Sequence, residues 1–324
     1  FDSCDIQGLS CDIHEYLCCD IRREVFCMEI QQGIKEFLIE IEVRKYTPRT
    51  IRGYRNNLNL FLRFCTEHEI AAIENVTLAT VKQFTRAMTA SKKKGTYING
   101  ILKGVKSFLQ YCYEEGYGAF NTKCCFPWCK EERAVITAFT PQQVKTMFQN
   151  CRGSDFKAIR DRTILTMLID TGIRCLELCS IRPSDIHEDY IIIRGKNHKQ
   201  RVVPITPILR KNMVKYEAVK ESYFRYKNTD DTYFLSFHGR ALTVSAVEVL
   251  MKKYGSGIEG IRVSPHTCRH FFAQQQIKMG TDLYTISRLL GHENIQITQT
   301  YLNSLRDRDV IEIAKSKSVL MSLG

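Results

Sequence analysis

The chain has 324 residues, a formal charge of +12 and a pI near 9.0. Its length suggests about two domains, and because it contains no run of 18 apolar residues, a membrane span is not expected. The positive charge favours a polyanionic partner such as DNA or RNA, although a basic protein without such a partner has the same bulk charge.

Residues 1–27 differ from the rest of the chain. They carry six acidic and two basic side chains, hold five of the fourteen cysteines, and precede the first methionine, Met28. They also lack the basic stretch followed by an apolar one that is typical of a signal peptide. We therefore predict that residues 1–27 are a non-native or unstructured extension.

The fourteen cysteines fit neither a secreted disulfide scaffold nor a zinc site. A disulfide scaffold is usually short and secreted, and a zinc site needs a second pair of ligands at a suitable spacing. Cys124, Cys125 and Cys129 lack a suitably spaced fourth ligand. We interpret most of these thiols as small buried side chains in a reducing cytoplasm.

Residues 28–122 are predicted to form a domain of four helices. Apolar residues from Ile30 to Ile41 recur at helical spacing. Thr47 and Pro48 then start a second helix, a third covers about 78–88, and a fourth runs from about 96 to 115.

This helical domain is basic. Between Met28 and Lys130 there are sixteen Lys and Arg residues against nine Glu and no Asp. A charge run is usually a solvated helix face, but it can also bind the phosphate backbone of DNA. The candidate DNA-binding residues are Arg44, Lys45, Arg49, Arg52, Arg55, Lys92, Lys93 and Lys94.

Residues 123–138 are predicted to be a linker, and residues 139–324 a second domain. Thr140 and Pro141 start its first helix. Strands at 190–195 and 200–205 form a β-hairpin, and helices are expected at about 155–171, 206–224, 243–253, 265–279, 281–290 and 294–302. The predicted fold class is therefore mainly α with a small antiparallel β-sheet (α+β).

Four segments of this second domain hold candidate catalytic residues. They are TGIRCLELCS, with Arg174 and Glu177; the hairpin IIIRGKNHKQRVVPI, with Lys196; SPHTCRHFF, with His266 and Arg269; and ISRLLGHENIQITQTYLN, with His292 and Tyr301. Each segment alone has an ordinary interpretation: a surface ion pair, a soluble turn lysine, a weak HxxR, or a core tyrosine. Their occurrence in this order within one domain is much more specific.

In that order the segments resemble the active-site boxes of the tyrosine recombinases, TGIRxxEL, GKxxKxRxVPI, HTxRH and LLGHxxIxxTxxYL. The resemblance covers 139–324. The basic helices at 28–122 resemble the family's SAM-like core-binding domain with weaker motifs. It implies a DNA strand transferase that acts in integration, excision or resolution. It also implies double-stranded DNA with inverted repeats as partner, a tetramer or a paralogous recombinase in the synapse, and a bacterial cytoplasm.

The resemblance also implies a role for each box residue. Tyr301 would attack a DNA phosphate and form a 3′-phosphotyrosine. Arg174, Arg269, His266 and His292 would contact the phosphate, Lys196 would protonate the 5′-oxygen, and Glu177 would orient Arg174. Where relatives often have a glycine after this lysine, the chain reads NHK, so Lys199 is the alternative acid. No cofactor and no metal is expected, since the chain lacks a phosphate-binding glycine loop and an HExxH motif.

Two other functions fit the same residues. A type IB topoisomerase uses similar chemistry but relaxes DNA without a partner site. A DNA-binding protein of integrase descent would lack the activity, although all six catalytic positions are occupied here. The final segment, 308–324, is predicted to be a helix that packs on its own domain or docks on a neighbouring subunit.

Overall fold

The computed structural model describes the following residues: 28–123, 125–131, 136–195, 199–302 and Ile311. The predictions for residues 1–27, for Lys196 and for 308–324 other than Ile311 lie outside this set. The chain forms two compact units, divided between residues 133 and 134. None of the described helices is long and apolar enough to cross a membrane.

Four helices and one 3₁₀ turn form the first unit: α1 (Ile30–Val43), α2 (Pro48–Glu67), the turn Ile73–Asn75, α3 (Leu78–Ala90) and α4 (Gly95–Glu114). The α2 start follows the prediction: the Thr47 hydroxyl accepts from the Thr50 amide at 3.3 Å, and Pro48 opens the helix. Phe37, Phe61 and Phe108 are buried in a single core, in which aromatic rings meet edge to face.

Helices α2 and α4 run antiparallel. The Asn57 amide donates to the Gly100 carbonyl, and Gly104 lies against Tyr54 and Asn57. The start of α2 therefore lies beside the end of α4. This arrangement places the turn after α1 and the turn before α4 at opposite ends of the unit.

The second unit contains eight helices and a hairpin among its described residues. They are α5 (Pro141–Asn150), α6 (Phe156–Thr171), α7 (Cys175–Ser180), β1 (Tyr190–Arg194), β2 (Gln200–Pro204), α8 (Pro207–Phe224), α9 (Val244–Tyr254), α10 (Pro265–Lys278), α11 (Leu283–Leu290) and α12 (Ile295–Gln299). A 3₁₀ turn at Pro183–Asp185 was not predicted. The predicted helix 294–302 is shorter than expected, while the others agree within about two residues.

Helix α6 lies at the centre of this unit, where it packs against α8 and α10. Its side chains Ile164, Leu165 and Met167 are fully buried on successive faces, which is typical of a helix surrounded by others. The α6 start also holds a buried ion pair, Arg160 with Asp161 at 2.6 Å. Since Tyr254 of α9 donates to the same carboxylate at 3.0 Å, α6 and α9 are joined there.

The two strands pair antiparallel, with Ile191 opposite Val203 and Ile193 opposite Arg201. Ile191, Ile193 and Val203 are buried, so one face of the hairpin belongs to the core. The predicted mainly α architecture with a small antiparallel sheet is confirmed.

Candidate active site

Arg269 is buried between the C-terminal ends of two helices. It lies on α10, which Ser264 caps and Pro265 opens. Its guanidinium donates to the carbonyl of Gly172, after α6, and to that of Leu290, at the end of α11, both at 2.8 Å. Helix C-termini leave carbonyls without intrahelical partners, so Arg269 satisfies them and joins the two helix ends.

Arg174 lies next to the same helix ends. Its guanidinium donates to the Gly291 carbonyl at 3.1 Å and to the Glu177 carboxylate at 2.8 Å. Nearly half of the Arg174 side chain is exposed, whereas Arg269 is only 3% exposed. One arginine is thus fixed in the protein and the other faces solvent.

Two glycines allow this close arrangement. Gly172 and Gly291 end α6 and α11 in the left-handed region, with φ of 62° and 66°, where glycine is favoured. A Cβ at Gly172 would lie 2.5 Å from the Phe272 ring, and one at Gly291 would lie 2.9 Å from Arg201. The predicted helix ends are confirmed, and neither position has room for a larger residue.

Glu177 receives both side chains that surround it. Arg201 of β2 donates to both of its carboxylate oxygens, at 2.9 and 2.7 Å, and also to the Leu289 carbonyl at 2.7 Å. Burial alone would raise the pKa of Glu177, but hydrogen bonds from Arg201 and Arg174 hold it below its ordinary value. Glu177 is therefore a buried anion that orients Arg174, as predicted from the sequence.

The site carries an excess of positive charge. Arg174, Arg201 and Arg269 interact with one carboxylate, that of Glu177. Burial, followed by the charge of Arg174, lowers the pKa of Arg269 to about 10. A buried cation that is held by carbonyls is poorly compensated, so these arginines form a binding site for an anion such as phosphate.

Tyr301 lies within this group. It is 3% exposed and packs with Phe272, Ile286 and Leu290. Burial raises the pKa of its phenol, and the charge of Arg269 offsets only part of that effect. The Nδ1 atom of His270 lies 3.0 Å from the Tyr301 hydroxyl.

Each of the other two histidines has a different setting. His292 follows Gly291, and its Nδ1 lies 2.8 Å from the hydroxyl of the buried Thr298. Burial and the charges of Arg269 and Arg174 lower the pKa of His292 to about 4. His266 is exposed, and incomplete hydration and the charge of Arg269 lower its pKa.

A cavity of about 670 Å³ opens beside these side chains. Its lining includes Arg174, Cys175, His266, Arg269 and His270. The two arginines and two histidines predicted or found at the site therefore border one space in the second unit. That space has room for a phosphate group and for part of its neighbouring sugars.

Of the predicted lysines, only Lys199 is described. Its ammonium lies 2.6 Å from the Glu293 carboxylate, and both side chains are exposed. Because Glu293 directly follows His292 in the chain, Lys199 is held beside the segment that carries a predicted catalytic residue.

The predicted DNA-binding residues are exposed and fall into two groups in the first unit. Arg44 ends α1, where it pairs with Glu40 at 2.6 Å and where Glu114 of α4 raises its pKa in part. Lys94 precedes α4. Since α4 has 20 residues and so spans about 30 Å, the structure does not bring the two groups together.

Sequence reasoning assigned no role to Arg201 or His270. Both residues stand inside the boxes GKxxKxRxVPI and HTxRH, so their presence was visible. Their contacts with Glu177 and Tyr301 are tertiary, and spacing along the chain does not indicate them.

Two family models match the chain. The phage integrase family matches residues 137–308, and the phage integrase N-terminal SAM-like domain matches residues 34–116. The first match covers more than half of the chain and contains all the predicted catalytic residues. The second lies within the helical unit.

Similar proteins point the same way. The tyrosine recombinase XerD of Staphylococcus haemolyticus is 28% identical over 272 residues, 83% of this chain and 92% of the relative. XerH recombinase bound to palindromic difH in a post-cleavage complex aligns with a TM-score of 0.67 at 16% identity, covering 90% and 85%. A lambda integrase tetramer on a Holliday junction aligns at 0.66 and 15%, covering 85% and 77%. The two structures show the same fold.

Proposed function

Because the chain belongs to the phage integrase family and is a tyrosine recombinase, we propose that it cleaves and rejoins DNA with Tyr301 as nucleophile. The observation that carries this assignment is the position of Tyr301. Its hydroxyl lies in the second unit beside a buried Arg269 whose hydrogen-bond partners are main-chain carbonyls. A scissile phosphate would bring the anion that this guanidinium lacks.

Cleavage transfers the phosphate from DNA to the protein. The Tyr301 oxygen forms a bond to phosphorus while the bond from phosphorus to the 5′-oxygen breaks, which leaves a 3′-phosphotyrosine and a free 5′-hydroxyl. Arg174 and Arg269 donate to the non-bridging oxygens, where charge accumulates in the transition state. His292 and His266 add further donors. Rejoining is the reverse attack by a 5′-hydroxyl, so the bond energy is kept in the intermediate.

Lys196 is our proposed acid for the 5′-oxygen, and Lys199 is the alternative. Lysine keeps its proton at neutral pH and can release it to an alkoxide. The pairing of Lys199 with Glu293 supports a structural role for Lys199, since a carboxylate already receives its proton donors. A DNA substrate with sulfur at the 5′-bridging position needs no acid, so it should restore cleavage to the variant of whichever lysine is the acid.

The chain is proposed to have three functional parts on this substrate. Residues 28–122 would bind the DNA backbone through the two basic groups, residues 123–138 would connect, and residues 139–324 would carry out catalysis. The XerH and lambda integrase structures contain DNA, and the latter is a tetramer. We assign this chain inverted-repeat DNA as partner and a tetramer as its synaptic form, in the cytoplasm of a bacterium.

A nicked suicide duplex tests the reaction. In such a duplex the strand end diffuses away after cleavage, so the covalent complex accumulates. With the inverted repeats next to the gene, the wild-type protein should give an adduct that survives a denaturing gel, and Tyr301→Phe should give none.

The matched control is Tyr226→Phe, since Tyr226 is a highly exposed tyrosine of the same unit. This variant should form adduct at the wild-type rate. Equal adduct formation by Tyr301→Phe, with its DNA binding intact, would contradict the assignment of the nucleophile.

A further inference from the structure

We propose that His270 is the general base that takes the proton of Tyr301 during cleavage, an inference that rests on the proposed function. The geometric observation is direct contact with the reacting atom. The Nδ1 of His270 lies 3.0 Å from the Tyr301 hydroxyl, within the range needed for proton transfer. No other ring nitrogen among the described residues has such a contact with this hydroxyl.

Tyr301 needs a base because its proton is held tightly. A phenol has an ordinary pKa of about 10, and burial raises that of Tyr301 further. Only a very small fraction is ionised at neutral pH. A base that removes the proton as the oxygen attacks avoids the cost of forming the phenolate beforehand.

His270 is in the protonation state that this role requires. Burial, followed by the charges of His266 and Arg269, lowers its pKa to about 4. The ring is therefore neutral at pH 7, and with its hydrogen on Nε2 the Nδ1 lone pair accepts from the Tyr301 hydroxyl.

The other groups around Tyr301 are engaged differently. The Nδ1 of His292 meets Thr298, and Glu177 receives Arg174 and Arg201. Arg269 and Arg174 are cations that cannot accept a proton. His266 contacts the His270 ring at 4.2 Å between centroids and is exposed to the cavity, so it is placed to meet the phosphate.

DNA binding would strengthen the base at the step where it acts. The groups that face His270 are His266 and Arg269 on α10 and Tyr301 after α12, with Arg174 across the cavity. The negative phosphate would neutralise part of the positive field of the arginines. Because that field lowers the pKa of His270, its partial loss raises the pKa and makes Nδ1 a better proton acceptor.

The proton is conserved through the whole cycle. As the bond from the Tyr301 oxygen to phosphorus forms, the phenolic hydrogen moves to His270 Nδ1 and the 5′-oxygen leaves with a proton from the acid. In rejoining, the 5′-hydroxyl attacks phosphorus, the acid regains its proton, and the imidazolium of His270 returns the hydrogen to the departing Tyr301 oxygen.

The variant His270→Asn separates a base from a positioning residue. The asparagine oxygen can accept the same hydrogen bond near the Nδ1 position but cannot take the proton. We expect the single-turnover rate of adduct formation to fall about 10²–10⁴-fold, with DNA affinity unchanged. His238→Asn, at an exposed histidine of the same unit, should cleave at the wild-type rate, and His270→Gln serves as the second variant.

The pH profile gives a readout that a structural role would not move. The wild-type rate should rise with pH and reach a plateau once His270 is neutral in the DNA complex. The His270→Asn rate should increase tenfold per pH unit through the neutral range, because the phenol must then ionise without help. A fluorinated tyrosine at position 301, whose phenol has a lower pKa, should restore part of the lost rate.

The substrate with sulfur at the 5′-bridging position distinguishes the two ends of the reaction. It should leave the defect of His270→Asn in place while it rescues the variant of the acid. A rate within threefold of wild type with an unchanged pH profile, or rescue by the sulfur substrate, would overturn the proposal. If wild type itself forms no adduct on any candidate site, the proposed function fails first, which is a distinct result.

Discussion

Arg201 determines where Arg174 points, although it does not line the cavity. It fills both oxygens of Glu177 from one side, and Arg174 reaches the same carboxylate from the other. Its planar fork holds two donors at fixed angles, which a lysine cannot do. Removing that geometry would leave Glu177 free to turn and would move the guanidinium that we assign to the phosphate.

Arg201→Lys is therefore expected to lower the rate of adduct formation on the suicide duplex by about 10–100-fold. That range corresponds to roughly 1.4–2.8 kcal/mol of transition-state stabilisation. DNA affinity, measured by gel shift, should change little, because the basic groups of the first unit are untouched.

Arg194→Lys is the matched control for this change. Arg194 of β1 also makes two hydrogen bonds to a carboxylate, that of Asp185, at 2.9 and 2.6 Å. It lies in the same hairpin but contacts no catalytic residue. Equal losses of cleavage in the two variants would show that hairpin stability, and not the orientation of Arg174, controls the rate.

At the scale of elements, the active site is assembled from helix ends. The carbonyls of Gly172, Leu290 and Gly291 are the acceptors that hold the two arginines. A helix C-terminus carries partial negative charge, so these carbonyls offset part of the charge of the arginines while leaving them able to bind a phosphate. The position of each helix end thus sets the position of a guanidinium.

Gly172→Ala should consequently destabilise the second unit and misplace Arg269. The left-handed backbone costs an alanine about 1–2 kcal/mol, and the contact of 2.5 Å with Phe272 adds overpacking of about 1–3 kcal/mol. The free energy of unfolding, measured in urea, should fall by about 2–5 kcal/mol.

Gly260→Ala isolates the backbone part of this effect. Gly260 also has a positive φ, 75°, but a Cβ there would meet nothing within 4 Å. It should lose only about 1–2 kcal/mol. If both alanine variants lose the same stability, the close contact with Phe272 does not contribute.

Local signals in the sequence predicted the elements well, because they act within one turn of chain. Thr47 and Thr140 cap α2 and α5 as expected, each followed by proline. Gly172 and Gly291 end their helices. By contrast, the contact of His270 with Tyr301 and that of Arg201 with Glu177 depend on how α10, α12, β2 and α7 pack, which no local pattern encodes.

At the scale of the whole molecule, the positive charge serves two different purposes. In the second unit it is concentrated around one carboxylate and belongs to the chemistry. In the first unit it is exposed in two groups, one at the turn between α1 and α2 and the other before α4. Two separated basic groups suit contact with phosphates at two places along a duplex, as expected for a unit that holds DNA without cutting it.

The salt dependence of DNA binding tests this division. Replacing Lys92, Lys93 and Lys94 by alanine, or Arg49, Arg52 and Arg55 in a second variant, should weaken binding. It should also reduce the slope of log affinity against log salt by about 0.9 for each side chain that contacts a phosphate. Lys35→Ala, an exposed lysine of α1 outside both groups, is the control and should keep the wild-type slope. Wild-type slopes in both triple variants would mean that these residues form solvated helix faces, and that the second unit supplies the phosphate contacts.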